Sequence, residues 1–315
     1  MVSTIYNPNM SRAGFLKLLA AGAVTAGTGG FLATAARAAR KMGTRAIPST
    51  GERLPMVGVG TSRTFDVRLG SESRARLHEV LKVMADAGGT VIDSSPMYGA
   101  AERVSGELLA DLGARDKYFI ATKVWTSGRE AGITQMKRSL ALFKTDKIEL
   151  MQVHNLVDWR TQLKTVQQWK AEGIFKYVGV THYTSGAFDQ LASILRREKV
   201  DFLQIPYSIT DREAERVLFP LCQERGVALI THRNFGGGYF FRRLRGTKLP
   251  GWAADYDITS WAQYLLKFVL AHPANTCVIP GTSKVRHMLD NVQAGMGRMP
   301  DAKARERMAA YVKDL

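Results

Sequence analysis

From about residue 56 onward, short apolar runs recur along the chain, each followed by a longer stretch in which apolar residues return every three or four positions. The runs at 56–60, 90–92, 118–122, 148–153, 177–180, 202–205, 228–231 and 276–279 read as strands. The periodic stretches at 73–87, 102–112, 133–143, 161–172, 185–197, 212–225, 258–271 and 285–293 read as amphipathic helices. Strands alternating with helices imply βα units and a parallel sheet. Eight strands, each with its own helix, favour a closed (β/α)8 barrel of the TIM type, a single domain, over an open doubly wound sheet. One more helix is expected over 301–315.

Polar residues interrupt this pattern just beyond several strands. Asp93 ends the second run, Lys123 the third and His154 the fourth, while Tyr98 follows Asp93 in Asp-Ser-Ser-Pro-Met-Tyr-Gly. In a parallel barrel the carboxyl ends of the strands face one pocket, so these four side chains are expected to converge. A phenol, an ammonium, a carboxylate and an imidazole suit proton transfer to a carbonyl that changes oxidation state. Ser94 and Ser95 read as hydrogen-bonding loop residues, because no adjacent base marks either as a nucleophile. The segment Val57-Gly-Val-Gly60-Thr lacks the third glycine and the following helix of a Rossmann fingerprint.

The order of the four residues, with Tyr-Gly at 98 and 99, Gly-Val-Thr-His at 179–182, Gln204 with Tyr207, and Ile-Pro-Gly-Thr-Ser-Lys at 279–284, resembles the aldo-keto reductases from about residue 54 to 291. The resemblance implies that Tyr98 is the proton donor, Lys123 lowers its pKa, Asp93 holds Lys123 and His154 orients the carbonyl oxygen. It places the nicotinamide amide on Thr181, His182 and Gln204, with His232 against the nicotinamide face. His182 and His232 stand where the family more often has asparagine and tyrosine, and titration of His182 makes nucleotide binding pH-sensitive. The stretch that opens the last helix maps Gly281, Thr282, Ser283, Lys284, His287 and Asn291 onto the adenosine 2′-phosphate and adenine. NADPH is therefore the expected cofactor, with NADH admissible because His287 replaces the usual arginine. Trp125 and Trp159, in loops beyond Lys123 and His154, are candidates for the substrate wall. A nucleotide-binding barrel serving as a redox sensor or as a subunit of a membrane complex is the alternative to an enzyme.

Composition adds bounds. The apolar fraction of 45% and charged fraction of 23% are those of a globular domain. The net charge of +16 suits a phosphorylated ligand. No nucleic-acid motif accompanies it; the family resemblance implies a small carbonyl compound as the partner, and the oligomeric state is left open. Cys222 and Cys277 read as packing residues, and no metal-ligand spacing occurs. The connection between 228 and 276 carries Gly236-Gly-Gly-Tyr-Phe-Phe-Arg-Arg-Leu-Arg245, either a flap over the cofactor or a surface loop. Residues 1–45 read as a leader and linker, and 46–315 as the barrel. Within the leader, a basic start, an apolar stretch rich in small residues and Ala36-Arg37-Ala38 have the order of an export signal. Ser11-Arg12-Ala13-Gly14-Phe15-Leu16-Lys17 resembles a twin-arginine signal with Ala13 in place of the second arginine. The apolar stretch is too weakly hydrophobic for a stable membrane span. The expected location is periplasmic or exported if this leader works, and cytoplasmic otherwise.

Overall fold

The computed structural model describes residues 41–315; the export-signal-like segment at 10–38 lies outside them. A short antiparallel hairpin, β1 (Thr44–Ala46) and β2 (Arg53–Pro55), precedes the barrel. The barrel strands are β3 (Val59–Gly60), β4 (Val91–Asp93), β5 (Phe119–Val124), β6 (Ile148–His154), β7 (Phe175–Thr181), β8 (Phe202–Pro206), β9 (Ala228–His232) and β10 (Asn275–Val278), paired in parallel in chain order. The sheet closes where the Gly58 amide donates to the Val278 carbonyl and the Val278 amide to the Met56 carbonyl, both at 2.9 Å. Closure removes both sheet edges. The expected (β/α)8 barrel is therefore the fold, and residues 56–58 join the first strand through this seam.

Its helices are α1 (Ser71–Asp86), α2 (Ala101–Asp111), α3 (Arg129–Leu142), α4 (Trp159–Ala171), α5 (Phe188–Arg197), α6 (Leu218–Arg225), the short α7 (Tyr239–Arg243), α8 (Trp261–Leu270), α9 (Val285–Gln293) and α10 (Ala302–Lys313). Asp301 caps α10 by accepting from the Ala304 amide at 2.8 Å. The helix expected over 212–225 is shorter than its pattern. Its first part is a 3-10 turn, Glu213–Glu215, and the helix proper begins at Leu218. Pro220 explains this, because proline fits the first helical turn but not the interior. The long connection after β9 folds as α7, a 3-10 stretch at Gly251–Tyr256 and α8.

Side chains alternate across a strand, and the alternation here divides the barrel interior into two zones. Val91, Phe119, Leu150, Tyr177, Phe202 and Ala228 form an apolar layer toward the amino ends of the strands. Moving two or four residues along the same strands gives Asp93, Lys123, Gln152, His154, Thr181 and Gln204, all buried and polar. The parallel register sets Lys123 opposite Gln152, His154 opposite Thr181, and Thr181 opposite Gln204. The strands thus carry an apolar plug at one end and a polar pocket floor at the other.

The hairpin closes the plugged end, with Ile47 and Leu54 packed into the apolar layer. Arg45 donates to the backbone carbonyls of Leu270, His272 and Asn275, which gives partners to groups around the end of α8. The compact body runs from Lys41 to Leu315 and includes the hairpin. Among the described residues no helix is long and apolar enough to cross a membrane.

Candidate active site

Asp93 ends β4, and the next strand brings Lys123 beside it. The Lys123 ammonium donates to Asp93 Oδ1 at 2.7 Å and to the Ser94 carbonyl at 2.6 Å. Both charged side chains are almost fully buried, at 1% and 3% exposure. A lone buried charge is costly, so each ion depends on the other. Burial raises the Asp93 pKa, and Lys123 with hydrogen bonds from Gln204 and Gln152 opposes that rise.

Tyr98 is delivered by the turn after β4, where the Tyr98 amide donates to the Ser95 carbonyl at 3.0 Å. Gly99 permits the sharp exit. Its φ is +58, and a Cβ there would lie 2.3 Å from Asp66 Oδ1, the atom that accepts from the Ala100 amide at 2.9 Å. Lys123 Nζ sits 5.4 Å from the centre of the Tyr98 ring, and the His154 ring meets the Tyr98 ring edge-on at 5.9 Å. Burial raises the Tyr98 pKa; Lys123 pulls it down, and the net direction is upward. This corrects the expectation of a lowered value. The lysine acts in the expected sense, and desolvation outweighs it.

His154 ends β6, with Ser95 Oγ 2.9 Å from its Nδ1. Burial first, then the charge of Lys123 and the nearby His232 and His182, pushes its pKa down to about 2. The imidazole is neutral at every ordinary pH. Directly after it, Asn155, Leu156 and Asp158 have positive φ values of 52, 57 and 42, conformations that non-glycine residues rarely adopt and that cluster at functional sites.

The residues expected to hold a nicotinamide lie along the neighbouring strands. Thr181 ends β7, Gln204 lies in β8 and His232 ends β9. Gln204 Oε1 accepts from Gln152 at 2.7 Å, so it is tied into the pocket floor. His182 Nδ1 accepts from the Thr184 amide at 3.2 Å, and its ring stacks on Tyr183 at 5.3 Å. Burial holds His182 below its ordinary pKa, against a smaller opposing effect of the Thr184 backbone contact. His232 is pushed down to about 3 by burial, with Lys123 and Arg233 adding to it.

At the other end of the expected nucleotide site, the Lys284 amide donates to Thr282 Oγ1 at 3.1 Å where α9 begins. Lys284, Arg286 and His287 are exposed there, Ser283 is half-buried, Gly281 is exposed and Asn291 is buried. Lys284 and Arg286 make no ion pair among the described residues. A helix N-terminus flanked by unpaired cations suits a phosphate.

Trp125 is 41% exposed beyond β5, and its backbone is held by Gln135. Trp159 begins α4, with Arg160 stacked 4.5 Å from its ring, and it lines an outer groove with Leu163, Lys164, Gln167 and Glu198. The structure brings Asp93, Tyr98, Lys123 and His154 together. Sequence reasoning missed Gln152, which looks like one more residue of a buried strand until the register sets it opposite Lys123. It also missed the exposed apolar side chains of Met97 and Tyr183, which join Trp125 in the loops beyond β4, β7 and β5. Among the described residues no group of His, Cys, Asp or Glu has the makings of a metal site.

Comparisons with known proteins agree with this geometry. The aldo/keto reductase family model matches residues 56–307. The chain is 27% identical over 248 residues to a methylglyoxal reductase, YeaE, of Escherichia coli, covering 76% of this chain and 84% of that one. Among solved structures, an aldo/keto reductase of Klebsiella pneumoniae in complex with NADP and acetate superposes with a TM-score of 0.72 at 23% identity, covering 86% of this chain and 95% of the other. The holo form of aldo-keto reductase AKR11C1 from Bacillus halodurans gives 0.69 at 24% identity, covering 85% and 96%. A barrel whose strand ends gather an aspartate, a tyrosine, a lysine and a histidine, matched over most of its length, belongs to the aldo/keto reductase family of nicotinamide-dependent oxidoreductases.

Proposed function

We propose that this chain reduces small or medium aldehydes and ketones to alcohols with NADPH, and that Tyr98 delivers the proton. The observation that carries the reading is the buried Lys123–Asp93 pair set beside Tyr98 and His154 at the carboxyl end of the barrel. Bound nicotinamide supplies a hydride to the carbonyl carbon. Everything else falls to the side chains. A raised pKa keeps Tyr98 protonated at neutral pH, and the oxygen of the reacting carbonyl, as it gains alkoxide character, is the stronger base. The Lys123 ammonium stabilises the phenolate left behind, and solvent reprotonates it. Neutral His154 donates a hydrogen bond to the same oxygen and orients the carbonyl.

The donor set fits the cofactor. Thr181, His182 and Gln204 would hold the carboxamide end, and the start of α9 with Lys284 would hold the phosphate end, which favours NADPH over NADH. Met97, Trp125 and Tyr183 offer an apolar rim to the substrate. The Escherichia coli relative is a methylglyoxal reductase, which makes methylglyoxal the first substrate to try, beside an aromatic aldehyde. The test is consumption of NADPH by the purified protein with each carbonyl, alongside direct titration of nucleotide binding. Carbonyl-dependent oxidation supports the reading. Tight NADPH binding without turnover of any carbonyl contradicts it, and leaves a nucleotide-binding barrel.

A further inference from the structure

We propose that Ser95 is a positioning residue: its hydroxyl donates to His154 Nδ1 and so fixes the imidazole as the Nε2–H tautomer, the form able to donate to a substrate carbonyl. The inference rests on the reductase reading for its catalytic consequence, but its structural core stands apart from it. Ser95 is fully buried and its Oγ has two neighbours, His154 Nδ1 at 2.9 Å and the Met97 amide at 3.3 Å. An amide N–H can only donate, so Met97 uses one acceptor site of the hydroxyl. The remaining question is where the hydroxyl proton goes.

If Nδ1 carried the ring proton and donated to Ser95, the Ser95 O–H would have no acceptor among the described residues. A buried donor left without a partner is expensive, and proteins rarely tolerate one. The opposite arrangement satisfies every group: Met97 N–H to Oγ, and Oγ–H to Nδ1. Nδ1 is then an acceptor, and the ring proton of the neutral imidazole must sit on Nε2. Nε2 makes no hydrogen bond among the described residues, which leaves its proton for a ligand. The groups around the ring, Lys123, His182 and His232, all disfavour a second proton, so the imidazolium does not compete.

The sequence already carried the means. The turn Ser95-Pro96-Met97-Tyr98 folds back so that one residue both aims Tyr98, through the Ser95 carbonyl, and orients His154, through the Ser95 hydroxyl. Two groups that act on one carbonyl oxygen are therefore set by a single turn.

The experiment is long-range nitrogen–proton NMR of the histidine side chains in the full-length protein without nucleotide. The chain has six histidines, and the spectrum of His154→Gln identifies the missing set of signals. The expected result is a neutral Nε2–H imidazole at His154 across pH 5 to 8 in the wild type, and a shift toward Nδ1–H or a mixture in Ser95→Ala. Ser95→Thr, which keeps the hydroxyl, should restore the Nε2–H pattern. In turnover, Ser95→Ala should lower kcat by roughly tenfold to a hundredfold with NADPH affinity unchanged. An Nδ1–H tautomer in the wild type overturns the proposal, whether or not any variant folds. So does an Nε2–H signal in Ser95→Ala indistinguishable from wild type. Because the NMR arm needs no turnover, failure of the reductase reading would appear separately, as absence of carbonyl reduction beside an intact tautomer.

Discussion

Lys123→Met removes the ammonium from the barrel while keeping most of the length and volume of its stem, so it isolates the charge pair from packing. Deleting one member of a buried ion pair costs about 3–5 kcal/mol, because the partner stays buried without compensation. Losing the donor to the buried Ser94 carbonyl adds about 1–3 kcal/mol. The stability of a domain is only about 5–15 kcal/mol, so the variant should fold but unfold at markedly lower urea. The loss should also depend on pH. Burial raises the Asp93 pKa above its unfolded value of about 3.9, and without Lys123 only the hydrogen bonds from Gln152 and Gln204 oppose the rise. A raised carboxyl favours the folded state when protonated. The penalty is therefore smallest below the unfolded pKa and grows as pH rises through the folded one. Urea titrations of wild type and variant at several pH values measure it. A difference under about 1 kcal/mol at pH 8, or one that does not shrink on acidification, would refute the reasoning, and adding Asp93→Asn should abolish the pH dependence.

Lys284→Ala should weaken NADPH far more than NADH, by about 1.5–3 kcal/mol, because NADPH alone carries the 2′-phosphate; equal losses by calorimetry would put the phosphate elsewhere. Glu215 is raised by burial, but hydrogen bonds from Arg212, Tyr207 and Arg305 leave it at about 2. A depressed carboxyl stabilises above its unfolded pKa and loses that effect as pH falls, so stability should drop between about pH 5 and 2, and Glu215→Gln should flatten that drop in thermal scans. For the leader we propose a twin-arginine-like export signal weakened at position 13. Ala13→Arg should move folded enzyme out of the cytoplasm without altering its kinetics, and fractionation with equal, uncleaved cytoplasmic retention of both forms would oppose this.

Much of the fold was legible because buried parallel strands and amphipathic helices leave different periods in the chain. Asp93, Lys123 and His154 showed for the same reason: each breaks an apolar run at its end. What stayed hidden depends on three-dimensional neighbours. Pro220 marked the late start of α6, but the surrounding periodic pattern masked it. Trp159 read as a loop residue, and it is instead the first residue of a helix, partly buried against the core. The upward shift of Tyr98 follows from desolvation by surrounding groups, which residue spacing does not reveal. Gln152 and the Ser95 contact to His154 emerge only from strand register and turn geometry. The hairpin that plugs the barrel has strands of three residues each, too short to leave a period.

Tyr98→Phe tests the central claim most directly, because it removes one hydroxyl and leaves the ring beside His154 and Lys123. The measurement is carbonyl-dependent NADPH oxidation by the variant, paired with its NADPH dissociation constant. The account predicts a fall in kcat of roughly a hundredfold or more, with nucleotide affinity close to wild type. Near wild-type turnover would contradict it and move the proton donor to another residue.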